Sequence, residues 1–157
     1  MKVKSNDEMP GHLARRFQQI ATAVFLSETT AAGYDLTPVQ YAALSAIKLH
    51  PEIDQITLAG LIAYDRTTIT GVVDRLVEKG LIIRTASSRD RRSRELTLTA
   101  PGEEVLAGVT PAVEAAQQMM LRGLSQTEAA QLMRLLRKLI DDANDLSRAP
   151  YKPLPSR

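Results

Sequence analysis

Four arginines crowd into one short segment, Ser87-Ser88-Arg89-Asp90-Arg91-Arg92-Ser93-Arg94, and they hold the most concentrated charge chemistry of the chain. A guanidinium stays charged at any physiological pH and offers a fork of donors that matches phosphate oxygens. A loop carrying several of them can follow a nucleic-acid backbone, or insert one arginine into a minor groove narrow enough to focus negative potential. Asp90 among them would repel DNA, so it is expected to orient a neighbouring guanidinium through a charge-assisted hydrogen bond. A second set of groups lies just upstream. Between Arg66 and Lys79 the residues Ile69, Val72, Val73, Leu76 and Val77 recur on one helical face, leaving Arg66, Thr67, Thr68, Thr70, Gly71, Asp74 and Arg75 on the other. Short hydroxyls and arginines, in place of a Glu/Lys mixture, are what a helix lying in a major groove requires.

These groups need elements to position them. Thr57 is a possible cap for a short helix with Leu58, Leu61 and Ile62 on one face; Tyr64 and Asp65 make a turn; Asp65 caps the next helix, and Gly80 ends it in left-handed geometry. Leu81, Ile82 and Ile83 then read as an apolar strand, and Glu95 to Thr99 alternate with period two, so the arginines occupy the tip of an antiparallel ribbon. Two short helices followed by such a ribbon make a winged helix-turn-helix. Thr67, Thr68 and Thr70 are expected near base edges, Arg66 and Arg75 mostly on phosphates, and Arg91 or Arg92 at the minor groove, with Arg89 also among the DNA-binding residues.

Asp90-Arg91-Arg92-Ser93-Arg94-Glu95-Leu96-Thr97-Leu98-Thr99, with Gly102 beyond, resembles the wing signature of the MarR family of bacterial transcription regulators. The preceding Thr57 to Ile82 is similar to that family's helix-turn-helix, and the flanking helices agree in length and order, so the resemblance spans nearly the whole chain. It implies a homodimeric winged-helix regulator, a repressor or an activator, often released from DNA by a small aromatic or phenolic ligand.

The totals restrict other classes. A chain of 157 residues with 44% hydrophobic content suits one ordinary soluble domain. The absence of cysteine excludes disulfides, thiolate zinc sites and thiol catalysis. No apolar run is long enough to span a bilayer and the first residues lack the apolar stretch of a signal peptide, so a cytoplasmic location is expected by elimination. His12 and His50 have no second ligand at metal-site spacing, and no phosphate loop or nucleophile elbow is present; neither an enzyme nor a cofactor is expected. Net charge is only +2, but Gln55 to Thr99 has eight Lys/Arg against five Asp/Glu while Ala100 to Asp145 has four against seven. Positive charge thus gathers at the ribbon end.

The remaining helices frame this unit. Pro10 starts a long helix with Leu13, Phe17, Ile20 and Val24 on its stripe, ended by Gly33; Thr37-Pro38-Val39-Gln40 is a capping box for a second helix ended by His50-Pro51; and residues 51–56 make an extended connector able to add a short strand to the wing. Thr99, Pro101, Glu103 and Glu104 open another helix, which Pro111 kinks or splits, and Ser125-Gln126-Thr127-Glu128 caps the last. The expected fold is therefore mainly α with a small β-wing. A winged lobe occupies about residues 36–99, dimerisation helices about 10–33 and 100–146, and a tail 147–157. The terminal helices have more apolar width than one core wall needs, which predicts a twofold dimer whose recognition helices read an inverted repeat about one DNA turn, ~34 Å, apart.

A ligand site is also expected. His12, Arg15, Arg16 and Phe17 in the first turns of the first helix, with Tyr41 on the second, offer a carboxylate clamp and an aromatic wall if those helices pack near their starts. The resemblance points the same way, since family members commonly bind aromatic acids between the dimerisation helices and the DNA-binding lobe. Together these features read as a repressor of genes for the breakdown or export of a small aromatic compound. A ligand-independent architectural dimer and a protein-interaction module with a basic hairpin are the alternatives.

Overall fold

The computed structural model describes residues 5–154. Six α-helices and a three-stranded antiparallel sheet follow in the order α1 (Pro10–Ala31), α2 (Pro38–Leu49), β1 (Ile53–Asp54), α3 (Gln55–Leu61), α4 (Arg66–Glu78), β2 (Ile82–Ala86), β3 (Arg94–Leu98), α5 (Ala100–Met120) and α6 (Gln126–Asp142). This is the winged helix-turn-helix with flanking helices that the residue pattern predicts. None of the described helices is long and apolar enough to cross a membrane.

Helix ends are set by local chemistry. Thr37 and Gln40 exchange both bonds of their capping box, as do Ser125 and Glu128. Gly33 (φ 86°) and Gly80 (φ 70°) take the left-handed geometry that ends α1 and α4, each followed by an amide that reaches back to a carbonyl of the last turn. The start of α3 differs from the expectation. Its cap is Asp54, whose carboxylate accepts from both the amide (2.9 Å) and the hydroxyl of Thr57, so Thr57 is the capped residue rather than the cap. A carboxylate three positions earlier is a stronger acceptor than a hydroxyl for an unpaired helical amide. Pro111 neither splits nor stops α5, which is continuous. The proline and Ala107, whose carbonyl loses its amide partner, are exposed, so water can satisfy the vacant acceptor.

The core lies between α2, α3, α4, the sheet and the facing parts of α1 and α5. Leu36, Leu44, Ile47, Leu58, Ile69, Leu76, Ile82 and Leu96 are its largest fully buried aliphatic side chains. β3 is central in the sheet: β1 pairs with it through Ile53↔Leu96, and β2 through the run from Ile82↔Leu98 to Ala86↔Arg94. The connector before α3 therefore does contribute a strand to the wing. Where β2 meets α5, the Thr99 amide donates to the Leu81 carbonyl and the Thr99 hydroxyl to the Gly80 carbonyl, and Gly102 lies so close that a Cβ there would stand 1.9 Å from the Leu81 oxygen. Only glycine fits this approach, which gives the residue trailing the wing signature a steric reason.

The terminal helices are less enclosed. α1 packs on α5 and buries only Phe25 and Thr29, while α6 buries no residue at all. Leu13 and Ile20 on α1 and Leu135, Leu139 and Ile140 on α6 are exposed. After a short 3₁₀ turn (Asn144–Leu146), the segment to Leu154 does not run free as a tail: the Lys152 amide donates to the Gly60 carbonyl of α3 at 2.8 Å.

Candidate nucleic-acid interface

The exposed face of α4 is built as its sequence requires. Asp65 caps the helix by accepting from the Thr67 amide at 2.8 Å, which fixes the first turn. Ile69, Val72, Val73 and Leu76 are buried beneath, leaving Arg66, Thr67, Thr68, Thr70, Gly71 and Arg75 exposed. The three threonine hydroxyls are already oriented. Thr67 donates to the Asp65 carboxylate (2.8 Å), Thr68 donates to the Asp65 carbonyl (3.1 Å), and Thr70 accepts from the side-chain amide of Gln55 (3.0 Å). Thr70 thus keeps its own O–H to offer outward, while Thr67 and Thr68 present lone pairs and methyl groups.

Gln55 is a residue that the sequence reading missed. It is the first residue of α3, where no periodicity marks it, and its side-chain amide holds Thr70 in the middle of the exposed face of α4. Asp74 also has another role than groove contact. It is half-buried and pairs with Arg84 of β2 at 2.8 Å, joining the recognition helix to the wing. The Asp65 carboxyl is held below the usual carboxylate range chiefly by the Thr67 amide and hydroxyl, with a smaller contribution from the Arg148 charge.

The ribbon tip is an ordered turn. Ser87 is buried there; its amide donates to the Ser93 carbonyl at 3.0 Å and its hydroxyl accepts from the Arg89 amide at 3.1 Å. Asp90 does not hold a guanidinium. Its carboxylate accepts from the backbone amide of Arg92 at 2.9 Å, because a short side chain in a tight turn reaches its own backbone first. The consequence suits binding: Arg89, Arg91, Arg92 and Arg94 are exposed, and no ion pair among the described residues engages any of them.

The expected ligand residues divide into two places. His12, Arg15, Arg16 and Phe17 lie together on the first turns of α1, with Arg15 3.4 Å from the His12 ring and 3.2 Å from Gln19, and Arg16 paired with Asp7 at 3.3 Å. Tyr41 instead meets Phe25 edge to face at a centroid distance of 6.1 Å. Phe25 is two turns beyond Phe17, about 12 Å along the helix, so one chain alone does not bring Tyr41 to the others.

A family model described as the MarR family matches residues 36–93, from the start of α2 to the wing tip. The repressor NicR of Pseudomonas putida is 32% identical over 134 residues, 85% of this chain and 84% of that protein. The chain belongs to the MarR family. It is therefore a DNA-binding regulator of transcription, and α4 and the β2–β3 ribbon are the recognition helix and wing of a MarR-family lobe. Two solved structures agree. That of the PcaV regulator of Streptomyces coelicolor in complex with its natural ligand superposes with a TM-score of 0.84 at 32% identity, covering 91% of this chain and 99% of the other. That of BpsR of Bordetella bronchiseptica, whose DNA binding is regulated by 6-hydroxynicotinic acid, gives 0.82 at 28%, covering 89% and 99%.

Proposed function

We propose that this MarR-family protein is a homodimeric repressor that binds an inverted-repeat operator and is released by a small aromatic acid. The observation that carries the reading is the recognition face itself: three pre-oriented threonine hydroxyls flanked by Arg66 and Arg75, beside a wing tip with four arginines that no ion pair among the described residues engages. Thr67, Thr68 and Thr70 read base edges, Arg66 and Arg75 hold phosphates, Arg91 or Arg92 enters the minor groove and Arg89 follows the backbone.

The dimer is supported by the exposed apolar residues of α1 and by α6, an amphipathic helix that buries nothing within its own chain. Repression is supported by the likeness to the repressor NicR, and the effector class by the likeness to BpsR, whose DNA binding 6-hydroxynicotinic acid regulates. The clamp for a carboxylate is the exposed group His12, Arg15 and Arg16, with Phe17 as an aromatic wall. Since Tyr41 is out of their reach within one chain, a site that includes it is completed by the second chain. Such a ligand weakens DNA binding only as far as it prefers the geometry that does not fit DNA.

Fluorescence anisotropy on a duplex from upstream of the protein's own gene, titrated with 6-hydroxynicotinate, benzoate and hydroxybenzoates, tests this. Release by one acid, lost in Arg15→Ala or Arg16→Ala without loss of DNA affinity, is the expected result. Binding that none of these acids changes would leave a ligand-independent DNA-binding dimer in place of the responsive repressor.

A further inference from the structure

The segment that follows α6 is folded back onto the helix-turn-helix by several independent contacts. The Asn144 side chain brackets Tyr151, accepting from its amide at 2.8 Å and donating to its carbonyl at 3.0 Å, so residues 144–151 close a compact loop. The Lys152 amide then bonds to the Gly60 carbonyl in the last turn of α3, and the lysine stem lies over Gly60, where an added Cβ would stand 3.1 Å from the Lys152 Cβ. Arg148 Nε pairs with Asp65 Oδ2, the cap of the recognition helix, at 3.3 Å.

Arg148 and Lys152 are thereby set beside Arg66, around a shallow concavity of about 260 Å³ whose single carboxylate is Asp65. That carboxylate is already committed to Thr67, and neither Arg66 nor Lys152 has an ion-pair partner among the described residues. The Arg148 side chain is 87% exposed, and its contact with Asp65 is made through Nε. Ile56, 59% exposed on α3, lines this concavity and also the hollow between α3 and the wing that holds Arg92 and Arg94. That second hollow also holds Asp54 and Asp90, whose carboxylates accept from the Thr57 and Arg92 amides, so Ile56 stands between the cations of the C-terminal segment and recognition helix on one side and those of the wing on the other. An excess of cations over a single committed carboxylate, in a dent large enough for a phosphodiester, is a seat for the DNA backbone.

We propose that the segment Arg148–Lys152 is a third DNA-contacting element, in which Arg148 and Lys152 grip a backbone phosphate beside Arg66, across Ile56 from the wing. The proposal rests on the DNA-binding role of the winged lobe. A phosphate contact carries no base information, so it raises affinity for every sequence alike.

The test is the salt dependence of binding for the wild type and an Arg148→Gln/Lys152→Gln double variant. Each is measured on the duplex from upstream of its own gene and on a shuffled duplex, both of roughly three helical turns at about 10 base pairs each. The expected result is an equal loss of affinity on both duplexes, with the slope of log K against log salt flattened by about one to two units and an unchanged melting temperature. Unchanged slope and affinity in a folded double variant would overturn the proposal. So would a chain ending at Leu146 that binds weakly while the double variant binds like wild type, since the segment would then act only as a clamp on α3. If the wild type binds neither duplex, the DNA-binding role fails and this proposal with it; wild-type binding retained by the double variant removes this proposal alone.

Discussion

Asp74 of the recognition helix pairs with Arg84 of the wing at 2.8 Å, so the two DNA-reading elements are joined by an ion pair rather than by packing alone. Both side chains are partly exposed, and such a pair contributes about 0.5–1 kcal/mol at most. A double-mutant cycle with Asp74→Ala and Arg84→Ala is expected to return a coupling energy in that range by urea unfolding. DNA affinity should fall with either single change, because the wing loses its fixed angle to α4. A coupling energy of zero would mean that the strands alone hold the wing.

Gly102 and Gly108 make a paired steric prediction. A Cβ on Gly102 meets the Leu81 backbone oxygen, whereas one on Gly108 meets the hydroxyl end of the Tyr34 ring. Backbone cannot withdraw and a side chain can, so Gly102→Ala should cost about 2 kcal/mol or more and Gly108→Ala less than 1. Equal losses in thermal melts would contradict the tight approach of α5 to the start of β2.

Acid should weaken the fold in a defined window. Asp35 is held below the usual carboxylate range by Lys79, Asp65 by Thr67 and Glu128 by Ser125. A depressed folded value means that the unfolded chain binds more protons, so the stability these groups confer is fully present above their unfolded values near 4 and is lost as pH falls through the folded ones. Asp65→Asn keeps a capping oxygen without the titration. Its melting temperature should lie below wild type near neutrality, where the charge-assisted part of the cap is missing, and fall less steeply below about pH 4. A slope identical to wild type would remove Asp65 from the acid response.

On the recognition helix, Arg75→Ala should weaken binding to all sequences and flatten the salt slope by about one unit. Thr70→Val should instead relax discrimination at one base position, since it loses the outward hydroxyl that Gln55 orients. Anisotropy against duplexes carrying single base changes separates these outcomes; a uniform loss in Thr70→Val would reassign that hydroxyl to the backbone.

The oligomeric state is testable on α6. Leu139, 67% exposed within the chain, is expected to be covered by the second copy, so Leu139→Glu should convert the dimer to a monomer at micromolar concentration while the winged lobe stays folded. Light scattering reads the mass and circular dichroism the helix content. A dimer that persists in this variant would place the interface on α1 and away from α6.

What the chain determines by itself is what depends on residues three or four apart. The capping boxes at Thr37 and Ser125, the left-handed stops at Gly33 and Gly80, the buried stripe Ile69-Val72-Val73-Leu76 and the arginine-bearing hairpin are all written in local spacing, because helical caps and turns close over a single turn of chain. Tertiary structure decided the pairings between segments. It gave Asp74 to Arg84, Gln55 to Thr70, Tyr41 to Phe25 and Lys152 to Gly60, none of which a periodic pattern can specify. Two local contests closed within a single turn of chain: Asp54 displaced Thr57 as the cap of α3, and Asp90 took the amide of Arg92 in preference to a guanidinium. The pairings between segments have no such local geometry to fix them, because their partners are separate along the chain and meet only when the strands and helices pack together.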